Sequence, residues 1–430
     1  MLSAGVEAWG TVAGCDGARL VVDGLGGIAR LGDRLVIGEA GPAAEVVGLE
    51  GSRVIALLAA PGDGIATGLP AYLRPIAPPY PGEDWLGRAL DADGCALSGA
   101  PPLPGPRPAP LRRAPPAGAQ RRGLGTRIET GVAALDAALP LCRGQRLGVF
   151  SGSGVGKTML LRHLVASVEA DVVVLALVGE RGREMGEFLR ESMAGPWAAR
   201  LIVIGETSDA SPARKRRAAW LALSVAEHFR DDGRQVLLLM DSVTRFAEAH
   251  RDVALAAGEL PAVRGFPATT AGMVAALCER AGPGAEGEPG DITAIFTVLV
   301  QGSDLDEPVA DMLRGTLDGH IVLDRSIAER GRFPAIDLGR SVSRAAPAAW
   351  SAEEATVAAR LRALLARRDE VLPMVRAGLY VPGAAPDVDA ALAIFPDLDA
   401  FLSRMTPHPS PGWAFEVLSM LLERDKTVSI

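Results

Sequence analysis

At 430 residues, with 48% hydrophobic and 22% charged side chains, the chain is long enough for two or three domains with cores of their own. Its formal charge of −8 comes without a dominant acidic or basic block, which argues against a general nucleic-acid surface. Cys15, Cys95, Cys142 and Cys278 form no C-x-x-C pair and the five histidines are dispersed, so neither a disulfide framework nor a zinc site is expected and a reduced cytosol fits.

Residues 1–78 alternate short apolar runs with glycine turns. Examples are Arg19–Asp23, Arg34–Gly38, Ala44–Gly48 and Val54–Leu58. Strands at this spacing predict a small β-barrel, and it carries no catalytic cluster. Residues 79–125 are rich in Pro, Gly and Arg and read as a connector lying on a surface. From about 126 to 348, apolar runs at Leu147–Phe150, Val172–Val178, Leu201–Ile204, Val236–Met240, Ile292–Val300 and Ile321–Leu323 alternate with helical patterns. That alternation predicts an α/β domain with a mostly parallel sheet, whose functional groups belong at the carboxyl ends of its strands. Residues 349–430 predict a small helical domain, periodic from Ala352 to Arg368 and punctuated by Pro373, Pro382 and Pro386. No leader pattern and no stretch of about 18 apolar residues occurs, so no membrane span is expected.

The stretch Ser151-Gly152-Ser153-Gly154-Val155-Gly156-Lys157-Thr158 follows an apolar run and precedes a helical pattern. Strand, glycine loop and helix in that order make a phosphate-binding loop. Glycines let backbone N–H groups approach phosphate oxygens, and the helix adds its positive end. In that loop Lys157 reaches the β/γ-phosphates and Thr158 ligates Mg²⁺. Lys157 is one of only three lysines, with Lys215 and Lys426, among 44 basic residues, so its presence there is informative. The strict pattern has glycine at 151, and here Ser151 stands instead.

Three further strand ends carry chemistry. Asp241 closes Val236–Met240 and either caps the next element or holds Mg²⁺ opposite Thr158; an upstream phosphate loop favours the metal. Glu180 follows Val172–Val178 and is the candidate for orienting and deprotonating an attacking water. Beside it, Arg181 is placed to meet charge on the γ-phosphate, while Arg183 and Glu184 read as a surface ion pair. Gln301 closes Ile292–Val300 as a candidate sensor of the γ-phosphate or the water. The basic run Arg214–Arg217 at a helix start reads as a solvated face.

Together these motifs resemble the type III secretion ATPases, relatives of the catalytic subunit of rotary ATP synthases. The resemblance rests on Arg143–Phe150 leading into the loop, Gly179–Glu184, Val236–Ala247, and Asp318–Leu323 with the segment to Arg344. The flagellar export branch is most similar, through Ile327–Pro334, with an injectisome ATPase as the alternative. The resemblance implies a RecA-like P-loop ATPase core behind an N-terminal barrel, followed by a C-terminal helical domain, in a homohexameric ring. It also implies ATP and Mg²⁺ as cofactors, a cytoplasmic location peripheral to the inner membrane, and no DNA partner. The implied partners are export-gate, stalk and stator proteins and chaperone–substrate complexes. By motif position Lys157 and Thr158 match the phosphate-loop pair, Glu180 the catalytic glutamate, Arg181 the adjacent arginine and Asp241 the magnesium aspartate. Phe333 falls where relatives place an aromatic ring on adenine, and Arg344 where an arginine enters the neighbouring subunit's site. Relatives often carry an N-terminal extension that binds the stator, whereas only Met1 to about Glu7 precede the first predicted strand. Glu180 and Lys157 together argue against a ring subunit that binds nucleotide without hydrolysing it, and 4% aromatics argue against an RNA translocase.

Overall fold

The computed structural model describes residues 8–59, 62–300 and 305–424; the segment before the first strand therefore lies almost wholly outside the described residues. Six strands, β1 (Trp9–Asp16), β2 (Arg19–Asp23), β3 (Arg34–Ile37), β4 (Ala43–Glu50), β5 (Arg53–Leu58) and β6 (Pro70–Arg74), close a barrel in the order β1-β2-β5-β4-β3-β6. Alternation fills it: Leu20 and Val22, Leu35 and Ile37, Ala44 and Val46, and Val54, Ala56 and Leu58 point inward. The strand the sequence pattern missed is β6, which opens on Pro70, a residue tolerated at the first position of a strand.

The segment expected to be only a connector contributes β7 (Arg88–Leu90) to the central sheet, with Trp85, Leu90 and Ala92 buried behind it. Next, β8 (Arg127–Ile128) pairs with β9 (Leu141–Cys142) around the fully buried α1 (Ala133–Ala138). Then strands and helices alternate: β10 (Arg146–Ser151), α2 (Lys157–Ser167), β11 (Val172–Glu180), α3 (Gly182–Ser192), β12 (Leu201–Thr207), α4 (Pro212–Asp231), β13 (Gln235–Asp241), α5 (Val243–Ala256) and α6 (Thr269–Glu279). They continue through β14 (Gly282–Pro283), β15 (Asp291–Leu299), α7 (Pro308–Thr316), β16 (Gly319–Leu323), α8 (Arg325–Glu329) and β17 (Ile336–Ser343). The sheet order is β17-β16-β10-β15-β13-β11-β12-β7, parallel from β16 to β7, with β17 antiparallel at one edge.

Both faces of this sheet are covered, which is why its strands read as continuous apolar runs. Along β11, Val173, Leu175 and Leu177 join one core cluster while Val172, Val174, Ala176 and Val178 join the other. After a short α9 (Ala346–Ala349), the chain ends in α10 (Ala352–Arg376), α11 (Pro386–Leu402) and α12 (Trp413–Arg424). Phe401, Leu402, Trp413 and Leu418 share a core cluster with Ala133, Ala134 and Ala137, and α10, α11 and α12 pack on the buried α1. The expected α/β core, with a barrel before it and helices after it, is the architecture adopted. Among the described residues no helix is long and apolar enough to cross a membrane.

Two expectations are corrected. Helix α10 runs through Pro373 to Arg376, so that proline lies inside the last turns and does not end the helix. The Arg214–Arg217 run is not a solvated face: Arg216 and Arg217 are buried. Arg214 pairs with Asp91, Asp93 and Glu206 at 3.0, 2.9 and 2.6 Å, and Arg217 with Asp93 at 2.8 Å. Arg216 reaches Glu45 of the barrel at 3.2 Å, and Arg34 of the barrel reaches Asp93 at 2.7 Å. The basic run is a joint between barrel and core.

Candidate functional site

Parallel strands β10, β13 and β11, with β15 between β10 and β13, end on the same side of the sheet, and each delivers one part of the site. β10 exits at Ser151 into the glycine loop. Gly154 and Gly156 have φ of +78° and +89°, a region that disfavours side chains. A Cβ on Gly154 would meet nothing within 4 Å, so the loop keeps an open concave face that backbone donors can share with an oxyanion. Gly156 caps α2, no acidic residue occupies its first turn, and the unpaired first-turn N–H groups add partial positive charge. Ser153 is exposed and Val155 buried, as an outward turn anchored at one point requires.

Lys157 Nζ donates to Asp241 Oδ1 at 2.5 Å and lies 3.5 Å from Glu180 Oε1. One cation thus sits between the ends of β13 and β11. Asp241 is 4% exposed, and the same Oδ1 accepts a 2.6 Å bond from Thr297 Oγ1 in β15. Glu180 reaches this point through a skip in register: Val178 pairs with Glu206 but Glu180 with Thr207, with Gly179 between them at φ +74°. A side chain at Gly179 would be strained there and would press on Arg245 at 3.3 Å. Burial raises the Glu180 carboxyl above its ordinary range and the charge of Asp241 raises it further, against the pull of Lys157.

Thr158, Glu180 and Asp241 line one cavity of about 210 Å³, together with Arg162, Glu184 and Phe188. A hydroxyl and a carboxylate are hard oxygen donors that fit Mg²⁺. Among the described residues no cluster of three or more His, Cys, Asp or Glu side chains is arranged to enclose a metal. Such a donor pair suits an ion that takes its remaining ligands from water and phosphate.

The other candidates lie differently. Phe333 is half-buried against the loop, where a Cβ on Gly156 would come within 2.9 Å of its Cδ1, so ring and glycine fit only as a pair. The Arg181 side chain is 80% exposed and pairs with Glu184 at 3.0 Å, taking the partner expected for Arg183 and standing outside the Lys157 cluster. Arg344 is exposed, its guanidinium bonded to the carbonyl of Arg314 at 3.3 Å. Because β17 runs antiparallel to β16, Ile336 stands beside Leu323 at the site's edge of the sheet, whereas Ser343 stands beside Gly319 at the far edge. Four residue steps at about 3.3 Å each separate Arg344 from its own phosphate loop by at least about 13 Å. Gln301 lies outside the described residues.

Two residues were missed. Thr297 holds Asp241, and Thr244 Oγ1 accepts the N–H of Leu299 at 2.9 Å, tying α5 to the end of β15. For Thr297 the available signal was a hydroxyl within a mostly apolar buried strand. Ser151 Oγ, at the position that departs from the strict loop pattern, is buried and has no hydrogen-bond partner.

Residues 131–343 match the model of the ATP synthase alpha/beta family nucleotide-binding domain, and residues 350–411 that of the T3SS EscN ATPase C-terminal domain. The chain is 42% identical over 407 residues to the flagellum-specific ATP synthase of Caulobacter vibrioides, covering 92% of this chain and 91% of that one. It is similar to the assembled ATPase EscN of the enteropathogenic E. coli type III secretion system, at a TM-score of 0.88 and 34% identity over 96% of this chain and 100% of that one. It is also similar to assembled EscN in complex with its central stalk EscO, at a TM-score of 0.84 and 34% identity over the same shares.

Proposed function

The chain belongs to the ATP synthase alpha/beta family, in the branch of the flagellum-specific and type III secretion ATPases, and we propose that it hydrolyses ATP to drive type III export of flagellar components. The observation that carries this reading is the convergence of Lys157, Asp241 and Glu180 from three strand ends beside an open glycine loop. Backbone donors of residues 152–156 and Lys157 hold the β/γ-phosphates, for which the ammonium leaves the two carboxylates it now bridges. Thr158 and Asp241 are the residues that would hold Mg²⁺, which when bound neutralises charge on the phosphate oxygens. Glu180, relieved of Lys157 and raised by burial, orients the attacking water and takes its proton. Phe333 stacks on adenine at the mouth of the loop. Arg181 swings from Glu184 toward the γ-phosphate.

The position of Arg344 at the far edge of its own sheet suits action on a neighbour, and head-to-tail contacts of that kind close into rings. The working form is therefore a homohexamer around a central stalk protein. It works in the cytoplasm, peripheral to the membrane complex, with export-gate, stator and chaperone–substrate partners. The test is direct. The purified chain is expected to hydrolyse ATP with Mg²⁺ and to stop on chelation, and cells whose only copy carries Lys157→Ala are expected to retain flagellar export substrates. Mg²⁺-independent turnover, or normal export by that variant, would overturn the reading.

A further inference from the structure

A second cleft lies away from the phosphate loop, between α8, β17 and the helical region. It has a volume of about 260 Å³ and is lined by Arg330, Arg332, Arg362 and Arg368 against only Asp337 and Asp369. Both acids are already engaged. Asp369 pairs with Arg368 at 2.5 Å, and Asp337 Oδ1 accepts the backbone N–H groups of Gly339 and Arg340 at 2.9 and 3.2 Å. Arg368 also lies 3.8 Å over the ring of Phe395, which fixes its plane.

Of the remaining arginines only Arg332 has an acidic partner among the described residues, Asp399 of α11 at 3.2 Å. Among the described residues Arg362 bonds only to the carbonyls of Leu338 and Ala138, at 3.0 and 2.9 Å, and burial lowers its pKa with no acidic group opposing. Arg330 is exposed and has no ion-pair partner among the described residues. Arg332 is 8% exposed and its Nε is buried without a hydrogen-bond partner. Burial pushes Arg332 down, and the like charges of Arg330 and Arg368 add to that push against Asp399 and Asp337. Four guanidinium groups facing two engaged carboxylates leave the cleft with a surplus of positive charge that calls for a counter-charge.

We propose that this cleft binds a compact, multiply charged oxyanion of the phosphate class. Its volume is below the roughly 300–1,000 Å³ of sites for drug-sized ligands, and its lining is charged where such sites are mostly apolar. Planar guanidinium forks suit phosphoryl oxygens, which take several charge-assisted bonds at once. Arg332 gives the site a route to the nucleotide. It donates to the carbonyl of Ile336 at 2.5 Å, bracketing the turn that places Phe333 on Gly156, and to Asp399 of α11 at 3.2 Å. Arg332 therefore links an oxyanion bound in the cleft to both the turn that carries Phe333 and the helical region.

Pyrophosphate is the probe, titrated calorimetrically without Mg²⁺ into the full chain carrying Lys157→Ala, whose phosphate loop has lost its cation. One site per chain is expected, weakened about tenfold by adding Arg330→Gln, the scale of one lost charge-assisted bond. Arg330 is exposed and has no ion-pair partner among the described residues, so this variant leaves the packing intact. Arg362→Gln is expected to weaken binding similarly; because it also frees two carbonyls, its thermal unfolding is followed in parallel, and Arg330→Gln carries the test alone if it unfolds. Binding that vanishes with Lys157→Ala alone, or that is unchanged in Arg330→Gln, would overturn the proposal.

Discussion

At the scale of the residue, Glu180 is the base proposed for hydrolysis. Its carboxyl is raised by burial and by Asp241, so it accepts a proton more readily than an ordinary glutamate. Glu180→Gln keeps the shape and removes the base: kcat is expected to fall by roughly 10²–10⁴, with ATP affinity nearly kept. Turnover at the parent rate would remove Glu180 from the role. The sign of the pH effect follows from the same shift. A base works only when ionised, so kcat/KM should decline as pH falls through the raised pKa of Glu180, and this acid limb should lie above the ordinary glutamate range. Phe333 makes a contrasting case. If its ring stacks on adenine, ground and transition states lose that contact alike in Phe333→Ala. KM for ATP then rises by the equivalent of about 1–3 kcal/mol with kcat little changed. An unchanged KM in a folded Phe333→Ala chain would place the ring outside the adenine site.

At the scale of the element, what could be read from sequence was what contiguous residues encode. The glycine loop has its strand immediately before it and its helix immediately after, so Ser151 to Thr158 announce themselves locally, and Asp241 ends an unbroken apolar run. The joint between barrel and core was opaque because its partners are remote. Arg214 meets Asp91 and Asp93 across 123 and 121 residues, and Arg216 meets Glu45 across 171. Nothing in Arg-Lys-Arg-Arg shows that its counter-charges arrive from a segment resembling a connector. Arg181 turns outward for a local reason, since Glu184, three residues on, pairs with its guanidinium at 3.0 Å. Asp93 is the hub of the joint, paired with Arg34, Arg214 and Arg217. Burial opposes its ionisation, but the three arginines outweigh that and hold its pKa below the ordinary range. Asp93→Asn strands those charges and is expected to destabilise the chain by about 3–5 kcal/mol, measured by urea unfolding. The linkage sign follows: a depressed carboxylate contributes stability above its unfolded pKa that is lost as pH falls through the folded one. The variant should therefore lose stability less steeply than the parent on acidification, and an equal acid slope would mean that Asp93 is not the hub.

At the scale of the whole molecule, the antiparallel turn of β17 separates Phe333 from Arg344. It leaves the ring on the chain's own phosphate loop and carries the arginine to the opposite edge of the sheet. If Arg344 completes a neighbour's site, Arg344→Ala should lose roughly 10³–10⁵ in rate and still bind ATP. Lys157→Ala should be inactive as well, with its defect in its own loop. Mixing the two inactive proteins under conditions that exchange subunits then creates a third kind of interface. There, the intact loop of an Arg344→Ala subunit faces the normal Arg344 of a Lys157→Ala neighbour. Such a site has every part, so activity should return in proportion to the number of these interfaces. If verified mixed rings stay inactive, either Arg344 serves its own subunit or all sites must fire in sequence. Turnover at sub-stoichiometric ATP separates the two: a single round without steady-state rescue marks sequential coupling, and silence in both assays removes Arg344 from the interface.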